Sequence, residues 1–265
     1  MTRTGPGAEP VSLIEAKLHV RCDADLTDED ALISALIPVA RAHVESATNR
    51  IMVTQGLRST FPDWPDRIDL RAPLRKVSAI TYLDTAGASQ TLAAADYVTD
   101  LAELPGIVTR AYAATWPSTY EHPAAVTVDF VAGYATPFTV DATTNILTAA
   151  GHPFATGDVV RGINTGGALP AGLAVRTDYY AIGVSGNTMQ LSATSGGAAI
   201  DITGAGTGTH FIGGADDSTW TAMRLAMLLL IGHWYNRREQ AGDFQSYEIP
   251  MGATKILFPH KVIGF

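Results

Sequence analysis

The sequence predicts an α+β protein, with a small helical bundle, a β-rich lobe and an inserted all-β domain of sandwich or barrel type. Three observations favour this class. One segment near the C-terminus is apolar on several faces at helical spacing, residues 51–134 follow a two-residue period, and residues 136–214 are rich in glycine and poor in charge. We therefore divide the chain into a host, residues 1–135 and 215–265, and an inserted domain at 136–214.

Two helices are predicted after an N-terminal arm, residues 1–11. Ser12 and Glu15 have the spacing of a capping box, in which each side chain bonds the backbone N–H of the other residue, so a helix is predicted over 12–20. A second helix, over 28–48, begins in an acidic segment that suits the positive end of the helix dipole. Its apolar residues recur every three or four positions and predict a broad buried stripe: Leu32, Ile33, Leu36, Ile37, Ala40, Val44 and Ala47.

The helix predicted over 217–238 is the element around which the host is organised. Asp217 or Ser218 can cap its start, and Arg237 and Arg238 place positive charge at its end, where the helix dipole is negative. Because apolar residues surround this helix, we expect other helices or a second subunit to cover it on several sides. Its uncharged run is much shorter than the roughly 20 residues that a membrane span needs.

Residues 51–134 are predicted to form the β-rich lobe, as a meander of antiparallel strands. Trp64 and Trp116 each precede a proline in a predicted turn, where an aromatic side chain most often caps a small core; a role in binding is the alternative. The predicted strands cover 56–61, 67–70, 77–83, 97–101, 107–111 and 125–131.

The inserted domain is marked by its composition. Residues 136–214 contain fifteen of the 25 glycines and only six charged residues. Short apolar runs alternate with Gly, Asn and Ser turns, as in a small sandwich or barrel. The flanking strand and helix would connect sensibly without this segment, so we interpret it as a guest domain in a host loop, whose removal should leave a folded host.

An apolar tail, residues 244–265, is too short to have its own core. Two alternatives remain open, namely packing on its own bundle or docking on a neighbouring subunit. Arg237 and Arg238 likewise either cap the helix or contact phosphate or a carboxylate of a partner. The candidate interface residues are Trp234, Arg237, Arg238, Phe244, Tyr247, Ile256, Leu257, Phe258 and Phe265.

Composition argues against several classes of function. A net charge of -8 and a pI near 5.3 disfavour a surface that grips nucleic acid, because phosphate neutralisation needs clustered Lys and Arg. The single cysteine, Cys22, excludes an intrachain disulfide. The first residues lack the apolar core of a secretory signal, so we expect synthesis in a cytoplasm.

No catalytic, cofactor or metal site is predicted, and we expect a protein that is not an enzyme. The acidic run from Asp23 begins like a calcium loop, but Asp28 stands where glycine is required and Ser34 where a bidentate glutamate is required. A glycine-rich run at 204–209 lacks the last glycine of a dinucleotide-binding loop. We therefore interpret these acids as a loop and helix start, and the glycines as a hairpin.

Several short motifs lie along the host in a fixed order. They are S-L-x-E-A-K-x-H-V-R at 12–21, D-E-D-A-L-I at 28–33, A-R-x-x-V-E at 40–45, A-P-L-x-x-V-x-x-I-x-Y-x-D at 72–84, W-P at 116–117, V-x-V-x-F-x-A-G-Y at 126–134, L-L-I-G-H-W-Y-N-R-x-E at 229–239 and P-x-G-x-x-x-I-L at 250–257. Through these segments, which extend over nearly all of its length, the host resembles the head-to-tail adaptor (connector) family of long-tailed bacteriophages. The inserted domain is the departure from the family pattern.

The insert contains the runs F-T-V-D-A-T-T-N-I-L-T-A at 138–149, G-D-V-V at 157–160, L-P-A-G-L at 169–173 and M-Q-L-S-A-T-S-G-G-A-A-I-D-I-T-G-A-G-T-G-T-H at 189–210. Through these runs it is similar to a small β module of phage structural and tail proteins.

The resemblance implies a structural virion protein at the head–tail interface. Such adaptors form a dodecameric ring under the portal, extend the DNA channel and dock the next neck or tail component. The implied partners are other copies of the chain, the portal protein and that next component, with genomic DNA passing through without specific binding and no membrane involved. The alternative is a tail or surface component whose β module binds a glycan or receptor, with Tyr179, Tyr180, Phe138 and Phe154 as a stacking face.

Overall fold

The computed structural model describes residues 2–3, 5–214, 218–237 and 251–263. It contains four α-helices and fourteen strands in the described ranges, which confirms the α+β class. The helices are α1 (Leu13–Val20), α2 (Asp30–Thr48), α3 (Ser218–Asn236) and α4 (Met251–Leu257). The first three agree with the predicted helices to within two residues at each end.

The strands fall into two groups along the chain, those before residue 135 and those of the predicted insert. Those of the host are β1 (Thr2–Arg3), β2 (Gln55–Phe61), β3 (Arg67–Leu70), β4 (Leu74–Leu83), β5 (Ser89–Thr91), β6 (Tyr97–Asp100), β7 (Gly106–Arg110) and β8 (Val126–Ala132). Those of the insert are β9 (Ala135–Asp141), β10 (Ile146–Thr148), β11 (Val159–Thr165), β12 (Asp178–Ser185), β13 (Thr188–Ser192) and β14 (Thr209–Gly214).

Helix α3 is the centre of the host, because α1, α2 and α4 all pack against it. Its buried face carries Trp220, Met223, Met227 and Leu230, which are at most 2% exposed. From α2, the residues at helical spacing that meet this face include Ile33, Ile37 and Val44: these and the α3 residues belong to one apolar core. The covering that the sequence predicts for α3 is thus provided largely by helices of the same chain.

The lobe contains two antiparallel sheets rather than one meander. The larger sheet has the order β1-β2-β8-β4-β5 and the smaller has the order β3-β7-β6. Strand β8 is the last in sequence but lies between β2 and β4, because its alternating residues Val126, Val128 and Phe130 are buried and need the most enclosed position. The six predicted strands are present and antiparallel, and β1 and β5 were not predicted; the predicted meander is wrong, because β8 lies between β2 and β4.

The insert forms a closed antiparallel barrel, the second of the two architectures predicted for it. The order around the barrel is β10-β13-β12-β11-β14-β9. Residues that point inward at alternate positions, such as Leu147, Val160 and Leu191, fill its interior. The apolar stretch 199–203 lies on the barrel without forming a strand: Ala199 makes an isolated bridge with Ser192, and the Ile200 amide donates to the carbonyl of Leu191 at 2.8 Å.

The chain enters and leaves the barrel at adjacent positions. Ala135 in β9 pairs with Gly213 in β14, and the pairing continues inward to Phe138 and His210. Gly133 makes the turn from β8 into β9 with a φ of 141°, and a Cβ there would lie 2.4 Å from the backbone of Thr54. Neighbouring ends of this kind are what a domain inserted in a loop requires.

The barrel nevertheless shares a core with the host. Phe211, in β14, is fully buried against Trp220 of α3, with ring centroids 5.5 Å apart. Ile163 of β11 also packs on this helical core. A cut at 136–214 therefore removes Phe211, and a test of the guest proposal needs a cut farther into the barrel that keeps this ring, although Ile163 is lost with either cut.

We predict that replacing residues 138–210 with Asn-Gly leaves a folded host. The replacement joins Pro137 to Phe211, which are paired in the barrel, through a two-residue hairpin loop, and it keeps Phe211 on Trp220. Adding Phe211→Ala to this variant should lower its free energy of unfolding by about 3–5 kcal/mol, as for other buried aromatics. Urea unfolding followed by circular dichroism measures both changes. Loss of cooperative unfolding in the hairpin variant itself would show that the barrel is not a guest.

Candidate assembly surface

A polar network around Glu15 joins the barrel to the helices. Arg224 of α3 donates from Nη2 to both carboxylate oxygens of Glu15 at 2.6 Å, and its Nε donates to the carbonyl of Pro10 at 2.9 Å. Thr165 of β11 donates from its hydroxyl to Glu15 at 2.6 Å and accepts from the Ser12 amide at 2.9 Å. One carboxylate thus connects α1, α3 and the barrel.

The network changes the predicted capping box. Ser12 caps α1 as expected, because its hydroxyl accepts from the Glu15 amide at 3.2 Å. Glu15 is drawn instead to the guanidinium of Arg224, since a charge-assisted bond is stronger than a bond to a neutral amide. The amide of Ser12 is satisfied by Thr165 rather than by Glu15.

The loop between α1 and α2 is organised by a buried ammonium group. Lys17, 3% exposed, donates to the carbonyls of Ala24 and Leu26 at 2.9 and 2.5 Å and to the Asp30 carboxylate at 2.8 Å. This internal cation gathers oxygen atoms from the loop, which agrees with reading the acidic run as a loop and helix start. Outside this cluster, the carboxylates of Asp23, Asp25 and Asp28 are exposed.

Two arginines hold the point at which the chain passes from β8 into the barrel. Arg75 donates from Nε to the carbonyl of Gly133 at 2.7 Å, and burial lowers the pKa of its guanidinium. Arg50 donates to the hydroxyl of Tyr134 and, at 2.5 Å, to the carbonyl of His260. Burial raises the pKa of Tyr134, so this phenol stays neutral at ordinary pH and can accept from Arg50.

The described part of the C-terminal tail packs on its own bundle. Helix α4 runs antiparallel to α3, with Ala253 and Leu257 in the helical core. Beyond it, the Val262 amide donates to the carbonyl of Thr48 at 2.9 Å, and Asn49 donates to the carbonyl of Val262 at 3.0 Å. Of the two alternatives for the tail, residues 251–263 therefore follow the intramolecular one.

The predicted interface residues occupy different environments. Leu257 is buried, while Ile256 and Trp234 are partly buried on the same core, Trp234 with its ring edge-on to His43. Phe258 is 78% exposed, and Arg237 is exposed at the end of α3. The remaining predicted residues, Arg238, Phe244, Tyr247 and Phe265, lie outside the described residues.

Several exposed apolar residues were not singled out in the sequence. Leu18 is 78% exposed, and Ile14, one turn before it, lies on the same outer face of α1. Leu225 is exposed on α3, next to the Arg224 that binds Glu15, and Ile263 is 85% exposed. The exposure of the two α1 residues could have been predicted from the sequence, because Ile14 and Leu18 lie on the opposite face of the helix from the buried Ala16.

The tryptophans before proline serve the core of the lobe. Trp64 and Trp116 stack with centroids 4.5 Å apart and planes 7° from parallel, and both are partly buried on the lobe core. Within the described ranges, no helix is long and apolar enough to span a membrane. The same ranges contain no group of three or more His, Cys, Asp or Glu side chains arranged to hold a metal ion.

We predict that Glu15→Ala lowers the free energy of unfolding by about 2–3 kcal/mol, because it leaves Arg224 and Thr165 without their shared acceptor. The matched control is Asp129→Ala, which removes a solvent-exposed pair with Arg58 and should lower the stability much less. Urea unfolding measures both. Equal losses in the two variants would contradict a special role for the Glu15 network.

We predict a comparable loss for Lys17→Met, about 2–4 kcal/mol, because two carbonyls and Asp30 would lose a buried partner. Lys76→Met, at an exposed position, is the control and should be nearly neutral. Thermal unfolding compares the two. A Lys17→Met variant as stable as the wild type would show that the loop does not depend on this ammonium group.

No model of a known protein family matches the chain, and no curated protein matches it significantly. Among solved structures, it is similar to a chain in the neck of an empty gene transfer agent (GTA) particle computed with C6 symmetry, with a TM-score of 0.55 and 17% identity. It is also similar to a chain in the virion of a native GTA particle, with a TM-score of 0.53 and 17% identity. Each similarity covers 100% of this chain and 97% of the other. The chain therefore shares the fold of proteins found in GTA particles.

Proposed function

We propose that this chain is a structural protein of a virion neck, a head-to-tail adaptor that forms a ring under the portal. The observation that carries the proposal is the similarity of fold to a chain in the neck of a GTA particle, over the full length of the present chain. The order of matching segments that links the host to the phage adaptor family supports the same role.

Self-association into a ring is supported by the surface of the helices. Ile14, Leu18, Val39, Leu225 and Phe258 are large apolar side chains at least 45% exposed, all on or directly beyond the helices. Exposed large apolar side chains also occur on the lobe and the barrel, but those on the helices lie on the elements that form the host's core and are suited to burial by another copy. The solved neck was computed with sixfold symmetry, and the adaptor family leads us to expect a ring of twelve.

The overall charge suits a channel through which DNA moves. A net charge of -8 does not provide the clustered cations that hold phosphates by counterion release. We propose that the ring extends the portal channel and docks the next neck or tail component, while the genome passes without specific binding.

The alternative, a β module that binds glycan, loses support from the barrel. Phe138 and Tyr179, two of the four aromatics proposed to stack on a sugar, are 4% and 5% exposed and lie in the barrel core. Tyr179 also accepts a bond from the Ala174 amide at 2.7 Å. The four rings therefore do not form one exposed face.

An enzymatic role has little support in the described residues. A cleft of about 330 Å³ between lobe and barrel includes Arg75 and Asp158 in its lining. Arg75 is bonded to the Gly133 carbonyl, and Asp158 accepts from the Ala155 amide at 2.8 Å. Both groups thus have structural partners, and convergent acid and base groups of the kind that catalysis needs are not assembled there.

The test is co-sedimentation of the purified protein with DNA-filled, tailless heads, followed by imaging of the portal vertex. We expect ring-shaped density below the portal. The variant in which Asn-Gly replaces 138–210 should bind equally and lack one outer part of that density, which locates the barrel. Folded protein that leaves exposed portals bare would overturn the adaptor proposal.

A further inference from the structure

The charge of this chain is distributed unevenly along its length. Residues 1–217 contain 23 acidic and 13 basic residues, whereas residues 218–265 contain three acidic and five basic ones. In α3 and in the segment 251–263, every residue with a formal charge at pH 7 is Arg or Lys. The C-terminal part is therefore a basic region in an acidic protein.

An exposed face of the C-terminal segment combines positive charge with apolar side chains. We call it the C-terminal surface and define it as Lys255, Phe258, Lys261 and Ile263, all exposed. The opposite side of the segment, with Ala253, Leu257 and Val262, is buried and fixes this face outward. Neither lysine forms an ion pair within the described parts of the chain.

A second exposed face has the opposite charge. We call it the acidic surface and define it as Asp23, Asp25, Leu26 and Asp28, in the loop after α1. Its conformation is fixed by Lys17, which bonds the backbone carbonyls on both sides of Asp25. Leu26 is 46% exposed, so this surface also contains an apolar side chain among its charges.

The two surfaces lie at opposite ends of α3. Helix α1 runs parallel to α3, because Glu15 meets Arg224 and His19 lies against Gly232, so the loop after α1 lies toward the end of α3. Helix α4 runs the other way, with Gly252 near Leu229.

The end of the C-terminal segment lies near the start of α3. His260 is bonded to Thr219, in the first turn of α3, at 3.1 Å. Lys261 and Ile263 follow His260 at the start of α3, whereas the acidic surface follows His19, which lies against Gly232. The thirteen helical residues from Thr219 to Gly232 correspond to about 20 Å, so this end of the C-terminal surface does not reach the acidic surface of the same chain.

We infer that the C-terminal surface of one subunit binds the acidic surface of the next subunit in the ring. This inference rests on the proposed adaptor function. Two different, complementary surfaces on one chain produce a head-to-tail contact, which is the kind that closes into a ring. The opposite charges select the partner and its orientation, and Phe258 and Ile263 with Leu26 supply apolar area to bury. The positive charge of Arg21 beside the acidic surface is outnumbered by its carboxylates.

Two charge-reversal variants test the contact. Variant A is Lys255→Glu with Lys261→Glu, and variant B is Asp25→Lys with Asp28→Lys. Each changes exposed side chains that form no ion pair in the described chain, so folding should be preserved and is checked by circular dichroism. Lys76→Glu with Arg110→Glu, on the lobe, is the control for A. Glu121→Lys with Asp201→Lys is the control for B.

The assay is ring formation on DNA-filled, tailless heads, counted by imaging as the fraction of portal vertices with a complete ring. We expect A alone and B alone to lose at least about tenfold in ring occupancy, because each places like charges in every contact. An equal mixture of A and B should recover wild-type occupancy. Where A and B alternate in the ring, the reversed C-terminal surface of A meets the reversed acidic surface of B, and the unchanged C-terminal surface of B meets the unchanged acidic surface of A. Both controls should match the wild type.

The outcomes separate this inference from the adaptor proposal. If the wild-type protein, variant A and variant B each form normal rings, the inferred contact is overturned and the adaptor function stands. Loss of rings in A alone, with B normal and no rescue by mixing, would also overturn it and assign the C-terminal surface to the portal. Bare vertices with wild-type protein would overturn the adaptor function itself.

Discussion

The placement of the barrel on the helices depends on one carboxylate. Glu15 accepts from Arg224 on α3 and from Thr165 on the barrel, and it lies one turn into a helix that Ser12 caps. Because Arg224 also holds the Pro10 carbonyl, the N-terminal arm is fixed by the same group. The apolar contact of Phe211 with Trp220 fixes the other side of the junction, so the orientation of the barrel is set by a polar and an apolar contact together.

The same arrangement explains where the chain is exposed. The buried faces of α1, α2 and α4 are used to cover α3, and the apolar residues left outside, such as Leu18 and Phe258, have no remaining partner in the described structure. A short helix such as α1 buries little of its own surface, so its outer residues add little to the stability of a monomer. Their exposure suits the contact between copies of the chain that we propose.

Sequence periodicity located the long helices and most strands of the lobe, but it missed α4, β5 and β14 and did not give the arrangement of the strands. The spacing of apolar residues located α2 and α3 well, and glycine-rich punctuation separated the barrel from the host. The strand order of the lobe depends on which strand is most enclosed, a property of the assembled sheets, so it could not be predicted. The role of Thr165 was invisible for a similar reason, because 150 residues separate it from Glu15.

The paired ends of the barrel also bear on how such a chain can vary. Ala135 and Gly213 are neighbours on adjacent strands, so the insert spans only a short distance between the two points at which it joins the host. Loop closure then imposes almost the same entropic cost whatever lies between the two ends. If the barrel is a guest domain, a replacement domain would need termini that lie side by side, an aromatic residue against Trp220 and a hydrogen-bond donor for Glu15.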